Sequence, residues 1–159
     1  MNDYDDLEKN GANFVPLSPL SLISRTAALY PDRQAVVHGD RRYTWADVFS
    51  RCRQLSSGLK GLGIGRGDTV AVMAANTPEM IECHYGVAAS GGVLNTINTR
   101  LDPDTIAYIL QHGEARVLIC DTAFSTSVEA ALKSIGDSHG ITVIDIADSE
   151  NASGGTRLG

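Results

Sequence analysis

The fold is decided by DTVAVMAANTPEMIECHYGVAASGGVLNTINTR, residues 68–100. The stretch begins with an apolar run of strand length, turns at Asn76-Thr77-Pro78 and continues as a helix to Gly91-Gly92. Thr is a favoured N-cap, and Pro fits the first helical position because its missing N–H would have no helical partner. A second short strand starts at Val93. Strand, helix and strand make a βαβ unit, which predicts a parallel sheet.

The segment before this unit predicts a helix and a small β-hairpin. Ser18-Pro19 is typical of a helix start, and Pro31 of its stop. Two extended runs, 34–38 and 41–44, flank Gly39-Asp40, which is a two-residue hairpin signal. The helix is expected to turn one face inward, formed by Leu22, Ile23, Thr26 and Leu29 or Tyr30.

A long helix and four alternating glycines lie between the hairpin and the βαβ unit. Thr44 and Asp47 have the spacing of a capping box at the start of this helix. The glycines at 61, 63, 65 and 67 close the helix and lead into a strand. A phosphate-binding loop follows a strand and opens a helix, so these glycines predict a C-cap and a turn instead. The helix has one apolar stripe, expected to be buried: Val48, Cys52, Leu55, Leu59 and Leu62.

The sequence after residue 101 continues to alternate helices and strands. A helix begins at Asp102-Pro103, a strand that is apolar on both faces covers 116–121, and Thr122 caps the next helix. A last strand covers 141–146. The fold class predicted from these patterns is α/β, with a mainly parallel sheet, flanking helices and a small N-terminal β-hairpin.

Composition excludes several classes of function. The net charge of −6, with no basic stripe, argues against a nucleic-acid partner. No apolar run approaches the roughly 18 residues of a transmembrane helix. The first ten residues are acidic and polar, unlike a secretory signal. Cys52, Cys83 and Cys120 are far apart and have apolar neighbours, which is typical of buried free thiols in a reducing compartment. We therefore expect a cytoplasmic protein.

Two places in the βαβ unit are candidates for chemistry. Cys83 and His84 are adjacent on a helix, so they point about 100° apart, and no third metal ligand follows at helical spacing. Helix packing or a pocket wall is favoured over a metal site. The loop Asn95–Arg100 leaves the carboxyl end of a strand, where ligands of open α/β sheets bind. Its amide and guanidinium groups suit a carboxylate or phosphate; the alternative is a turn whose Asn side chains bond local backbone.

Four short runs occur in order along the chain: YTW at 43–45, GRGD at 65–68, ANTP at 75–78 and VLNTINTRL at 93–101. Together they make the sequence resemble the N-terminal part of an AMP-forming acyl-CoA synthetase, a member of the adenylate-forming superfamily. With NFVPLSP at 13–19, the resemblance is to the subgroup acting on short, medium-chain or aromatic carboxylates. The order and spacing of the runs carry the resemblance, since no single run is specific.

The resemblance implies a two-step ligase reaction. ATP and a fatty or aromatic carboxylic acid form an acyl-adenylate and pyrophosphate with Mg²⁺, and the CoA thiol then displaces AMP. The family's Ser/Thr/Gly-rich phosphate loop ending in Lys-Gly, its adenine- and ribose-binding segments and its C-terminal lid are absent from this sequence. We therefore expect a fragment that is inactive alone, with no catalytic residue, no metal ligand and no tightly bound ATP, CoA or Mg²⁺.

The resemblance also implies a domain plan and two site residues. Residues 1–15 are a loose leader, 16–146 an incomplete N-terminal subdomain of the adenylate-forming fold, and 147–159 a disordered or truncated tail. Arg100 matches an arginine that contacts a CoA phosphate in some relatives, and His84 is placed at the substrate pocket. A stand-alone α/β binding domain is the alternative function. A dinucleotide enzyme is disfavoured, because no G-x-G-x-x-G follows a strand.

Overall fold

The computed structural model describes residues 8–15, 17–136 and 139–147. Residues 1–7 of the predicted leader and 148–159 of the predicted tail lie outside these residues. In chain order the elements are α1 (Pro19–Leu29), β1 (Gln34–His38), β2 (Arg41–Thr44), α2 (Trp45–Gly61), β3 (Thr69–Met73), α3 (Pro78–Ser90), β4 (Val93–Thr96), α4 (Pro103–His112), β5 (Ala115–Asp121), α5 (Ser125–Ile135) and β6 (Thr142–Ile146).

The larger sheet is parallel throughout and has the strand order β4-β3-β5-β6. Val70 of β3 lies between Leu94 of β4 and Val117 of β5. Helices α2 and α3 cover one face of the sheet, and α4 and α5 cover the other. The predicted α/β class and the parallel pairing are confirmed.

The strand order places a crevice at the carboxyl ends of the strands. The chain passes from β3 through α3 outward to β4, then returns past β3 to form β5. The helices that follow β3 and β5 therefore lie on opposite faces of the sheet. Loops diverge where a parallel sheet reverses its direction of growth, and ligands of open α/β sheets bind at such points.

The hairpin of β1 and β2 forms a separate N-terminal layer with α1 and the start of α2. Its small core contains Ile23, Val48 and Cys52, with half-buried aromatic side chains packed against them. Trp45, the only tryptophan of the chain, is among these and lies in the first turn of α2. The predicted hairpin bounds are confirmed, and Gly39 has a φ of 54° in the turn.

Two of the predicted helix starts are confirmed by their caps. The Ser18 hydroxyl accepts from the Leu20 N–H at the start of α1. At the start of α2, the Asp47 N–H donates to the Thr44 hydroxyl at 3.2 Å, and the Thr44 N–H donates to the Asp47 carboxylate at 2.9 Å. This closed capping box holds the pKa of Asp47 below its ordinary value.

The glycine-rich turn between α2 and β3 is also confirmed. Gly63 and Gly67 have φ values of 81° and 90°, which favour glycine. The Asp68 carboxylate accepts from the Gly65 N–H at 2.8 Å and lies 2.8 Å from Arg116 Nη1. These partners, Arg116 first, keep the pKa of Asp68 low. The turn is thus held at the amino ends of the strands.

The predicted buried faces of two helices need correction. Leu22 and Leu29 of α1 are 52% and 56% exposed, and the residues that face inward are Ile23 and Ala27. Because they are four residues apart, they share a face that excludes Leu22. Leu62, assigned to the stripe of α2, is 46% exposed because the helix ends one residue earlier.

Of the two other predicted caps, one is confirmed in position and one is wrong. Thr77 is the N-cap of α3 and has the extended backbone of that position, but its side chain makes no capping hydrogen bond. Thr122 does not cap α5, because residues 122–124 form a 3₁₀ turn and the helix starts at Ser125. The Asp121 carboxylate caps that turn by accepting from the Ala123 N–H at 2.9 Å.

All three cysteines are buried free thiols, as the sequence predicts. Burial raises the pKa of Cys52 to about 11 and of both Cys83 and Cys120 to about 12. A thiol held protonated in this way is a poor nucleophile and a poor metal ligand. In the part of the chain that the structure describes, no helix is long and apolar enough to cross a membrane.

Candidate functional site

A polar cleft of about 380 Å³ opens where β3 and β4 end. The corner after β3, the first two turns of α3 and the loop after β4 form its walls. None of the lining residues is Lys, Arg, Asp or Glu, so the cleft offers hydrogen bonds without a charged side chain. They are Ala74, Asn76, Met80, His84, Thr96, Ile97, Asn98 and Thr99.

The loop after β4 is fixed to the sheet by its buried residue. The Ile97 side chain is 4% exposed, and its N–H donates to the Val72 carbonyl at 2.8 Å. Because Ile97 is held in this way, the neighbouring Thr96 and Asn98 are exposed at the cleft. The loop therefore presents polar side chains on a rigid support.

The orientation of the His84 ring follows from one hydrogen bond. Nδ1 lies 2.8 Å from the carbonyl oxygen of Met80, one turn earlier in α3. A carbonyl can only accept, so Nδ1 carries the proton, and Nε2 of the neutral ring is a hydrogen-bond acceptor. Nε2 has no hydrogen-bond partner among the described residues. His84 thus offers an acceptor to a ligand in the cleft.

An apolar depression adjoins the cleft on the other side of the His84 ring. Pro19, Ile81 and Tyr85 line it together with His84. The imidazole is therefore shared between a polar and an apolar surface. A ligand in the cleft meets hydrogen-bonding groups at one end of this region and carbon surface at the other.

The structure places Arg100, the other predicted site residue, outside the cleft lining. Its side chain is exposed, and its backbone N–H donates to the Asn98 side chain at 2.9 Å. This hydrogen bond forms a local turn, which was the alternative interpretation of the loop. Arg100 forms no ion pair among the described residues, so its guanidinium remains available at the margin of the cleft.

Sequence analysis missed two side chains of the cleft, Asn76 and Met80, and its candidate loop Asn95–Arg100 included one residue that points elsewhere. Asn76 directly follows β3, so the rule that selected the loop after β4 would also have found it. Asn95 instead packs on the end of α4, where its amide nitrogen lies 2.8 Å from the point that a Gly113 Cβ would occupy.

Cys83 and His84 lie in different environments, as helical spacing predicts. Cys83 is 2% exposed between α3 and the sheet, whereas His84 is exposed at the cleft. The two side chains therefore do not converge on one point. No group of three potential His, Cys, Asp or Glu ligands occurs within residues 8–15, 17–136 and 139–147.

The one Lys-Gly pair of the sequence does not form a phosphate-binding loop. It ends the run Ser-Ser-Gly-Leu-Lys-Gly at 56–61, which forms the last turns of α2. In a helix, the backbone N–H groups of these residues bond to carbonyls of the preceding turn and cannot surround a phosphate. The described residues thus offer no glycine-rich cradle for ATP.

Sequence comparison identifies the relatives of this chain. The family model described as AMP-binding enzyme matches residues 23–157. An acetate–CoA ligase of Humulus lupulus is 45% identical over 131 residues, which are 82% of this chain and 23% of the relative. A peroxisomal trans-cinnamate:CoA ligase of Petunia hybrida is 42% identical over 138 residues, 87% of this chain and 24% of the relative. The chain therefore spans about a quarter of the length of these relatives.

A solved structure gives the same assignment. The fatty acyl CoA synthetase of Mycobacterium tuberculosis superposes with a TM-score of 0.71 and is 30% identical, covering 79% of this chain and 25% of that one. The parallel sheet, the flanking helices and the small hairpin correspond to the N-terminal part of adenylate-forming ligases. The chain belongs to the family of AMP-binding enzymes.

Proposed function

We propose that residues 16–146 form the N-terminal subdomain of an AMP-forming acid–thiol ligase. The ligase activates a fatty or aromatic carboxylic acid with ATP and Mg²⁺ to an acyl-adenylate, then transfers the acyl group to CoA. Membership of the AMP-binding family and the names of the CoA-ligase relatives support this proposal. A cytoplasmic location stays a prediction, since the trans-cinnamate relative is named as peroxisomal.

The uncharged lining of the cleft is the observation that carries the assignment of its ligand. A carboxylate or a phosphate that leaves water is commonly paired with a cationic side chain, and no Lys or Arg lines this cleft. A neutral chain of amides and hydroxyls needs only hydrogen bonds, which Asn76, Asn98 and His84 supply. CoA has such a chain in its pantetheine arm. We assign the arm to the cleft and a CoA phosphate to Arg100 at its margin.

We assign His84 a hydrogen-bonding role toward this arm. Its Nδ1 proton is held by the Met80 carbonyl, so neutral His84 presents only the Nε2 lone pair. That lone pair accepts from an amide N–H or a hydroxyl of the arm. The apolar depression formed by Pro19, Ile81 and Tyr85 covers the carbon portion of the same ligand.

Titration of the 159-residue chain followed by amide NMR tests the assignment. We expect pantetheine and CoA to shift the resonances of Asn76, Asn98 and Thr99. The Arg100→Gln variant should weaken CoA binding and leave pantetheine binding unchanged, because only CoA has phosphates. Arg25→Gln, an exposed arginine of α1, is the matched control. Binding of either compound without shifts at the cleft, or no binding at millimolar concentration, would overturn the assignment.

A separate assay addresses the activity of the chain by itself. The only Lys-Gly pair of the sequence lies in helix α2, where its backbone N–H groups cannot surround a phosphate. We expect no pyrophosphate release with acetate, butyrate, benzoate or trans-cinnamate in the presence of ATP and Mg²⁺. Release above the level of a heat-denatured sample would contradict the proposed inactivity.

A further inference from the structure

Five side chains join the N-terminal layer to the start of helix α3. The Arg41 guanidinium pairs with Glu79 and also donates to the Tyr43 hydroxyl at 3.0 and 3.1 Å. Arg51 of α2 pairs with Glu82 and lies 3.9 Å from Glu79. The two guanidinium carbons lie 5.5 and 5.2 Å from the centre of the Tyr43 ring. We call Arg41, Tyr43, Arg51, Glu79 and Glu82 the clamp.

The clamp is partly excluded from water, which strengthens its ion pairs. The side chains of Glu79 and Glu82 are 18% and 10% exposed. Burial is the largest single influence on the pKa of Glu79 and acts to raise it, but the hydrogen bond and charge of Arg41, with the Glu79 backbone N–H and the Thr77 hydroxyl, together keep that pKa low. Glu79 is therefore held ionised, and loss of Arg41 would leave its half-buried carboxylate without its main ion-pair partner.

The acidic half of the clamp occupies the same two helical turns that line the cleft. Glu79 and Glu82 flank Met80, whose carbonyl orients His84. Asn76 stands three residues before Glu79, at the corner that leads into α3. No residue of β1 or β2 lines the cleft, and the Arg41–Glu79 pair links the hairpin directly to these turns of α3.

We propose that Arg41 and Arg51 are positioning residues for the cleft. They fix the first two turns of α3 from the side of the hairpin and thereby set the places of Asn76, Met80 and His84. The hairpin thus preorganises a ligand site to which it contributes no contact. The ligand part of this inference rests on the function proposed above, whereas the positioning itself does not.

The inference is tested first without a ligand, by NMR of the 159-residue chain. The imidazole nitrogen resonances of His84 report its hydrogen bond to Met80, and the Asn76 amide reports the corner. Arg41→Gln should shift both sets at a temperature where the variant is still folded. Arg41→Lys keeps the charge without the guanidinium fork and should give an intermediate shift. Glu129→Gln, which breaks the exposed Lys133–Glu129 pair on α5, is the control and should leave both unchanged.

Pantetheine titration adds the functional readout. Arg41→Gln should weaken pantetheine binding several-fold, with Arg41→Lys between it and the parent. The isosteric Glu79→Gln variant is the second test, because it preserves shape if Arg41→Gln prevents folding. Unchanged His84 and Asn76 resonances in a folded Arg41→Gln or Glu79→Gln variant would overturn the inference. Absence of pantetheine binding in the parent would overturn the proposed ligand. The ligand-free spectra would still show whether the clamp positions Asn76 and His84.

Discussion

The central sheet and the N-terminal layer lie side by side but are stabilised by different interactions. Val70 and Leu118 in the middle of the sheet are fully excluded from water, with helices on both faces. No residue of β1 or β2 is fully buried, and the hairpin is attached to α3 through the clamp. Apolar burial involves no charge that salt can screen or that a proton can neutralise, whereas ion pairs respond to both changes. The layer that positions the cleft is therefore the more easily perturbed part of the molecule.

The largest effect is expected in the sheet. Leu118→Ala removes a fully buried side chain from the core between β5 and helices α4 and α5. The lost apolar burial and the resulting cavity should lower the free energy of unfolding by about 3 kcal/mol. Urea denaturation followed by far-UV circular dichroism measures the change. A loss below about 1 kcal/mol would show that the core repacks and that the two regions are less different than their burial indicates.

A smaller effect is expected from breaking the clamp. Arg41→Gln removes the ion pair with Glu79, whose two side chains are 22% and 18% exposed, and should cost about 1–2 kcal/mol in the same measurement. The loss should shrink at high salt because the pair is partly accessible to solvent. A loss that is independent of salt would assign the contribution of Arg41 to its packing on Tyr43 instead.

The Arg41–Glu79 pair predicts that the free energy of unfolding depends on pH in the acid range. The pKa of Glu79 is lower in the folded state than its ordinary value of 4.5, so the ion pair contributes fully to stability above that pH. This stabilisation is lost as the pH falls through the pKa of Glu79 in the folded protein. The stability difference between the parent and Glu79→Gln should thus be constant above about pH 4.5 and shrink below it. A difference that persists at lower pH would contradict the pairing.

The contact between helices α2 and α3 should tolerate little added volume. A Cβ at Gly86 of α3 would lie 2.7 Å from Cδ2 and 3.0 Å from Cβ of Leu55 in α2. Gly86→Ala should therefore give a net loss of about 1 kcal/mol despite the higher helix propensity of Ala. Gly58→Ala is the matched control: no atom lies within 4 Å of its added Cβ, so a gain of up to about 1 kcal/mol is expected. Equal effects of the two variants would contradict the close approach of Gly86 to Leu55.

The smallest effect belongs to an exposed ion pair on the outer surface of α5. Glu129 and Lys133 of α5 are paired at 2.7 Å, four residues apart, with side chains 42% and 72% exposed. Glu129→Gln should cost no more than about 0.5 kcal/mol. A cost as large as that of Arg41→Gln would mean that partial burial does not distinguish the clamp from an ordinary surface pair.

The sequence predicts the elements of this fold well because their signals are local. The hairpin at 34–44, the capping box of α2 and the glycine turn before β3 depend on residues within a few positions of each other. The buried face of α1 was predicted wrongly because it is selected by what the helix packs against. Leu22 and Ile23 are equally apolar, and only the position of α2 decides which one is buried.

The candidate site was predicted in part for the same reason. The loop after β4 was found because it leaves the carboxyl end of a strand of a parallel sheet, whereas His84 was placed at the pocket by the resemblance to the ligase family. The clamp joins residues 31 to 38 positions apart, and no local pattern in the sequence pairs Arg41 with Glu79 or Arg51 with Glu82. Whether Arg100 lines the cleft depends on the path of the loop, which the sequence does not specify.

The place of Trp45 determines what fluorescence can report about this protein. As the only tryptophan, it lies in the aromatic cluster of the N-terminal layer and not in the sheet. Its emission should follow detachment of the hairpin, whereas far-UV circular dichroism follows the strands and helices of the whole chain. If the layer separates first, the two signals will give different midpoints in one denaturation curve. The native sequence thus contains its own optical probe for the region that positions the cleft.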